Sequence, residues 1–224
     1  MSKDTSNHRK SALKSLKRKD TVGVLFLGDV EVGKSALIRQ WMGLGEFHDN
    51  YQATVEEFFM KTVISLNQRV NVTIIDIAGS RQFPTMDDLY ISKSDIIVLT
   101  YEIGNAKSIT ALKRYFAAAQ QAVKEKKVCY VVAGTKQDKH ELDSTRPVEV
   151  GHEYFAELSE QPVQFVTSAK TGHNVKELFE HSIQQILKRY NVNDKRAKFE
   201  RQITLEAIAE NEEGKDENVC CSLL

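Results

Sequence analysis

Gly28-Asp29-Val30-Glu31-Val32-Gly33-Lys34-Ser35 places two glycines, a lysine and a hydroxyl residue in the spacing G-x-x-x-x-G-K-[ST]. That spacing suits a polyphosphate. A glycine-bounded loop running into a helix turns its backbone N–H groups on an anion, and the helix dipole adds to the attraction. Lys34 can reach β- and γ-phosphates, and the Ser35 hydroxyl can bind Mg²⁺. Val30 and Glu31, between the glycines, are large where a terminal phosphate would be approached.

The loop alone implies a nucleoside triphosphate and leaves the base open. Thr135-Lys136-Gln137-Asp138 narrows it. A carboxylate at Asp138 accepts from the ring N–H and exocyclic amine of guanine, a donor pair that adenine lacks. Lys136 can lay its aliphatic stem along the base or ribose. In Ser168-Ala169-Lys170 a backbone N–H could meet the guanine oxygen. Asp76, in Asp76-Ile77-Ala78-Gly79-Ser80, closes an apolar run and is placed to hold Mg²⁺ through water. Gly79 would let its N–H approach a γ-phosphate. Thr54 is the second candidate metal ligand, after Ser35. Each motif has a plainer alternative: a polar loop after a strand, a helix N-cap, a loop threonine. Their joint occurrence in this order behind a phosphate loop favours guanine nucleotide binding.

These residues need elements to carry them. The apolar run 21–28 predicts a buried strand ahead of the phosphate loop, and Ala36-Leu37-Ile38-Arg39-Gln40-Trp41-Met42 predicts a helix behind it. Further strands are expected at 56–66, 69–77, 95–102, 128–134 and 163–167. Helices are expected at 34–44, 107–125, 148–159 and 174–190, with a short one at 83–92. Unbroken apolar strands such as Ile96-Ile97-Val98-Leu99 suit a sheet covered on both faces, and Asn67-Gln68 joins two strands as a hairpin. The expected class is α/β: a doubly wound, six-stranded, mostly parallel sheet with one antiparallel edge strand and helices on both faces.

The chain has 224 residues, 41% hydrophobic and 28% charged, with formal net charge zero. Bulk charge therefore names no partner, and no nucleic-acid partner is expected. Residues 1–20 carry seven Lys/Arg against two Asp, and residues 203–224 carry six acids against one Lys. The expected organisation is a basic, disordered tail over 1–20, a nucleotide-binding domain over 21–190 and a tail over 191–224. No apolar stretch is long enough to span a membrane, and residues 1–20 lack a secretory h-region. Cys129 reads as a buried core thiol, and three cysteines make no disulfide framework.

On these motifs residues 21–190 resemble a Ras-superfamily small GTPase, with all five nucleotide motifs in order. The resemblance implies the P-loop NTPase, small G-protein fold and GTP/GDP and Mg²⁺ as cofactors. It makes Phe47 the aromatic stacked on guanine and Tyr51 the one closing over the phosphates. The nucleotide-contacting set it implies is Gly28, Asp29, Val30, Glu31, Val32, Gly33, Lys34, Ser35, Ala36, Phe47, Tyr51, Thr54, Asp76, Gly79, Thr135, Lys136, Asp138, Ser168, Ala169 and Lys170. The metal ligands are Ser35, Thr54 and Asp76, and the catalytic group is Lys34, Thr54, Gly79 and Ser80. The effector-binding stretch is Tyr51, Gln52, Ala53, Thr54, Val55, Glu56, Glu57, Phe58 and Phe59. Phe83-Pro84-Thr85-Met86, Leu89-Tyr90-Ile91-Ser92-Lys93 and His173-Asn174-Val175-Lys176-Glu177-Leu178-Phe179 resemble the Di-Ras branch, with Dexras/Rhes second.

Three positions depart from the family. Ser80 stands where a glutamine orients the attacking water, and Val30 where Ras has glycine facing the γ-phosphate. Together they imply slow hydrolysis, since Val30 would also crowd an arginine finger. Thr135 replaces an asparagine, as Rho-type GTPases also do. The chain closes on Cys221-Ser222-Leu223-Leu224, a C-a-a-X box whose final Leu favours geranylgeranylation of Cys221. Cys220 could be palmitoylated, or the basic N-terminal segment could touch the membrane, as the second signal that stable anchoring requires. The reading is a lipid-anchored switch on the cytoplasmic face of the plasma membrane. It binds effectors through its switch loops and is served by an exchange factor and an activating protein. Two alternatives stand: a constitutively GTP-bound module with negligible hydrolysis, and an ATP-using enzyme, against which Asp138 argues.

Overall fold

The first strand, β1 (Thr21–Gly28), is buried along its whole length. Such a strand can only lie inside a sheet covered on both sides. Val22, Val24, Leu25, Phe26 and Leu27 are each at most 3% exposed, and burial of each such side chain contributes about 1.5–3 kcal/mol. The computed structural model describes residues 21–48, 53–54, 56–79, 84–123, 128–140 and 161–190, together with residue 11.

Along the chain, β1 is followed by α1 (Lys34–Met42), β2 (Glu56–Ser65), β3 (Gln68–Ile77), α2 (Pro84–Lys93), β4 (Ile96–Glu102), α3 (Ala106–Val123), β5 (Cys129–Thr135), the short α4 (Gln137–His140) and β6 (Val163–Val166). A final helix, α5, covers 175–190. The six strands form one sheet in the order β2-β3-β1-β4-β5-β6. Only β2 and β3 pair antiparallel; the other four pairings are parallel. This is the expected α/β class, including the single antiparallel edge. Met1–Ile186 forms one compact unit; of the second, Leu187–Leu224, residues 187–190 are described and are helical.

Side-chain alternation along β1 assigns the layers. Leu25 and Leu27 join Tyr90 and Ile91 of α2 and Leu112, Tyr115, Phe116 and Ala119 of α3 in one core cluster. Phe26 points to the other face. There its ring meets Phe179 of α5 at 5.6 Å, and Phe179 stacks on Trp41 of α1 at 4.1 Å. Asp95, just before β4, ties three strand starts together. Its carboxylate accepts from the Gly23 N–H at 2.9 Å, its own N–H donates to the Gly23 carbonyl, and its carbonyl accepts from Cys129.

Strand and helix bounds fall within a residue or two of expectation, with three differences. The hairpin turns on Leu66-Asn67, one residue earlier than Asn67-Gln68, with both residues at positive φ (49° and 59°) and Ser65 paired to Gln68. Two central residues at positive φ give the twist that a tight hairpin needs. The four-residue α4 is too short for any periodicity to announce. The helix expected at 148–159 lies outside the described residues, as do the tail segments 12–20 and 191–224.

The end of β1 is sterically closed. A Cβ added at Gly28 would lie 2.2 Å from the carbonyl oxygen of Thr100, its register partner on β4. Neither backbone can yield without breaking the ladder. Gly28→Ala should therefore lower the unfolding free energy by roughly 1–3 kcal/mol, seen as an earlier midpoint in urea unfolding. An unchanged midpoint would show that the strand end has slack.

Candidate functional site

Neighbours β3 and β4 flank β1, and the chain winds away from it in both directions. This is the point in an open α/β sheet where a crevice forms at the carboxyl ends of the strands. β1 delivers the phosphate loop there. β3 delivers Asp76, in register with Phe26 of β1. β5 delivers Thr135 and the residues after it.

The loop is shaped by two left-handed residues, Glu31 (φ 61°) and Gly33 (φ 98°), the latter capping α1 and accepting from the Leu37 N–H at 3.0 Å. The Asp29 carboxylate accepts from the N–H of Val30 at 2.9 Å. Val30 stands 41% exposed. Lys34 is only 6% exposed, and its Nζ donates to the carbonyls of Gly28 (3.1 Å) and Asp29 (2.8 Å). Burial lowers its pKa to about 8, against the opposing pull of Asp76 and Asp29.

Asp76 is fully buried, and neither carboxylate oxygen has a hydrogen-bond partner among the described residues. Burial pushes its pKa up to about 6, although the nearby Ser35 hydroxyl and the Lys34 charge work against that rise. Ser35 Oγ and Thr54 Oγ1 lie 2.8 Å apart. Two adjacent hydroxyls beside an unsatisfied buried carboxylate form a hard oxygen donor set of the kind that suits Mg²⁺ with water completing its shell. Ser35, Thr54 and Asp76, singled out from sequence, are thus brought together.

Gly79 is pressed onto the phosphate loop. A Cβ there would lie 2.4 Å from the Val30 nitrogen and 2.4 Å from the Asp29 carbonyl carbon. Its carbonyl accepts from the hydroxyl of Tyr115 on α3, and the Arg114 guanidinium lies 5.1 Å over the Tyr115 ring. Sequence reading did not select Tyr115. It repeats with Leu112, Phe116 and Ala119 on the buried face of an amphipathic helix, so nothing separates it from a core residue.

On the base side, the Thr135 hydroxyl donates to the Val32 carbonyl and lies 3.0 Å from the Tyr101 carbonyl. One side chain thereby connects β5 to the phosphate loop. Asp138 lies in the first turn of α4, and its Oδ1 accepts from Ser168 Oγ at 2.6 Å. Ser168 also accepts from the N–H of Thr171 at 3.2 Å. The two base-side loops are stitched by Gln137 N–H to the Thr167 carbonyl (3.1 Å) and Thr167 N–H to the Gly134 carbonyl (2.7 Å). Ala169 is buried and Lys170 exposed. Phe47 is described as an exposed ring.

Within the effector stretch, Ala53 is exposed, and Glu56, Glu57, Phe58 and Phe59 lie half-buried on β2. Glu57 receives both oxygen contacts from Arg39 Nη2 of α1, at 3.0 and 3.2 Å. Tyr51, Gln52, Val55, Ser80, Cys220 and Cys221 lie outside the described residues.

The Ras family model matches residues 23–188. The human "GTP-binding protein Rhes" is 29% identical over 177 residues, which cover 74% of this chain and 64% of that protein. The chain thus spans 64% of the length of that curated relative. The family match encloses the phosphate loop, the Asp76 strand and both base-side loops, and its members bind guanine nucleotides, generally with Mg²⁺. The chain belongs to the Ras family.

Proposed function

We propose that this chain is a guanine-nucleotide switch that holds GTP·Mg²⁺, hydrolyses it slowly to GDP and phosphate, and exposes a binding surface for effectors while GTP is bound. The observation that carries the reading is the buried carboxylate of Asp76, without a hydrogen-bond partner among the described residues, beside the Ser35–Thr54 hydroxyl pair and the buried Lys34. Lys34 would meet the β- and γ-phosphates as a buried positive charge. Ser35, Thr54 and Asp76 would hold Mg²⁺, which supplies charge neutralisation at the phosphates. The Gly79 N–H would face the γ-phosphate. That contact and the one at Thr54 would order the flanking loops for a partner to read. Val55, Glu56 and Glu57 are the proposed effector contacts.

Asp138 selects guanine through two donor groups of the base, and Ser168 already orients that carboxylate. Removing a charged acceptor from two hydrogen bonds should cost roughly 10²–10⁴-fold in GTP affinity. Asp138→Ala is expected to show that loss in equilibrium titration with labelled GTP. Unchanged affinity would return the ATP-using alternative.

Slow hydrolysis follows from Ser80 and Val30. A serine cannot place a water as a glutamine amide does. Val30, exposed at the loop tip beside Gly79, crowds the space that the water and an arginine finger would share. Loss of finger access alone forfeits roughly 10³–10⁵ in rate, or about 4–7 kcal/mol of barrier. Single-turnover hydrolysis by the purified protein is expected to run below an ordinary Ras protein measured alongside. A rate equal to or above that reference would remove the proposal. The second reading, a constitutively GTP-bound module, rests on the same two residues. The nucleotide found after purification and followed over hours separates the two, because only a slow enzyme accumulates GDP.

Within the family, segments 83–93 and 173–179 support the Di-Ras branch, with Dexras/Rhes second. Anchoring at the cytoplasmic face of the plasma membrane rests on Cys221-Ser222-Leu223-Leu224, with Cys220 or the basic N-terminal segment as second signal. Cys221→Ser should move the protein from the membrane to the soluble fraction on cell fractionation; retention at the membrane would refute lipid anchoring.

A further inference from the structure

Glu102 is the last residue of β4, paired in register with Thr135, the last residue of β5. Its side chain crosses to the next residue of the base-recognition motif. Glu102 Oε2 lies 3.0 Å from Lys136 Nζ, with the two side chains only 18% and 26% exposed. The carboxylate is itself held, since Oε2 also accepts from Asn105 Nδ2 at 3.3 Å. Asn105 in turn accepts from the N–H of Ser108 at the start of α3 through its Oδ1, at 3.2 Å. The glutamate is therefore fixed from the α3 side before it meets the lysine. Lys136 has backbone φ 61°, a left-handed conformation uncommon for a residue with a long side chain.

We infer that Glu102 is a positioning residue for the guanine nucleotide, acting through Lys136. A lysine stem is four carbons long and flexible, so it presents a defined apolar edge to a base or ribose only if its head is tied down. The left-handed backbone at Lys136 fixes where the stem starts, and Glu102 fixes where it ends. With the ammonium already paired, the lysine serves the nucleotide with its aliphatic stem more than with free charge. A half-buried ion pair is screened less than an exposed one, so the brace survives at ordinary ionic strength. This inference rests on the guanine-binding reading above and adds to it a residue outside every nucleotide motif.

The test is the release rate of fluorescently labelled GDP from the full-length protein carrying Glu102→Gln, Lys136→Met or both. Gln keeps the shape of Glu102 and removes its charge; Met keeps the apolar stem of Lys136 and removes its head. Glu102→Gln should speed GDP release roughly three- to tenfold with an unchanged urea midpoint. In the Lys136→Met background the same change should add nothing, which a merely structural role at the end of β4 would not produce. Wild-type release from Glu102→Gln, or equal acceleration in both backgrounds, overturns the brace. If Asp138→Ala weakens guanine binding while Glu102→Gln is silent, the brace alone fails. If the unaltered chain retains no labelled GDP, the guanine reading fails and the brace with it.

Discussion

Two opposite charges buried at the carboxyl end of the sheet set the terms for this molecule. Lys34 and Asp76 are each more than nine-tenths inaccessible, and burial drives each toward its neutral form, Lys34 down to about 8 and Asp76 up to about 6. Each favours the other's charged form, yet not enough to cancel the cost of leaving water. Lys34 settles on two backbone carbonyls, whereas Asp76 finds no hydrogen bond among the described residues. Removing such charges would relieve the fold, so their presence argues for a ligand that meets both: an anion for the lysine and a cation for the carboxylate. A magnesium–phosphate complex is such a ligand.

The sheet keeps those charges apart and in place. Register between β1 and β3 sets Phe26 beside Asp76, and the chain can leave β1 toward Lys34 only because Gly28 has no Cβ to strike Thr100. From there the constraint spreads to the base side. Thr135 binds a phosphate-loop carbonyl, which ties β5 to the loop. Gln137, Thr167 and Gly134 then tie the Asp138 loop to the Ser168 loop. A nucleotide bridging both ends would meet a surface whose halves are already linked by hydrogen bonds, which lowers the ordering cost of binding.

What could be read from the sequence was local in sequence. The phosphate loop is one contiguous octet, and its chemistry follows from residue types alone. The buried strands announce themselves as unbroken apolar runs, and the sheet class follows from their alternation with helices. The missed features join residues far apart in the chain. The Tyr115–Gly79 hydrogen bond spans 36 residues and the Arg39–Glu57 contact 18. Tyr115 looked like any core aromatic. Glu102 carried a faint signal, a charged residue ending an apolar strand, but nothing in its own neighbourhood names Lys136. The hairpin was displaced by one residue because Leu66 occupies a positive φ that side-chain type does not favour; pairing across the whole β2–β3 ladder decides that position.

The proposed hydrolytic rate would be written into the fold at Gly79. Gly79 is held from two sides, by the phosphate loop against its Cα and by the Tyr115 hydroxyl at its carbonyl. The chain therefore leaves Gly79 from a fixed point. A glutamine at position 80 carries three heavy-atom bonds beyond Cβ to its amide; a serine carries one. Two bonds fewer leave the hydroxyl about 2.5 Å short of the amide's reach. Moving Gly79 inward cannot recover that distance, because the Val30 nitrogen already blocks its approach. Val30, whose backbone nitrogen meets Gly79, carries a side chain with neither donor nor acceptor. On the proposed reading, hydrolysis would be slow because an anchored Gly79 is followed by a side chain too short to orient water.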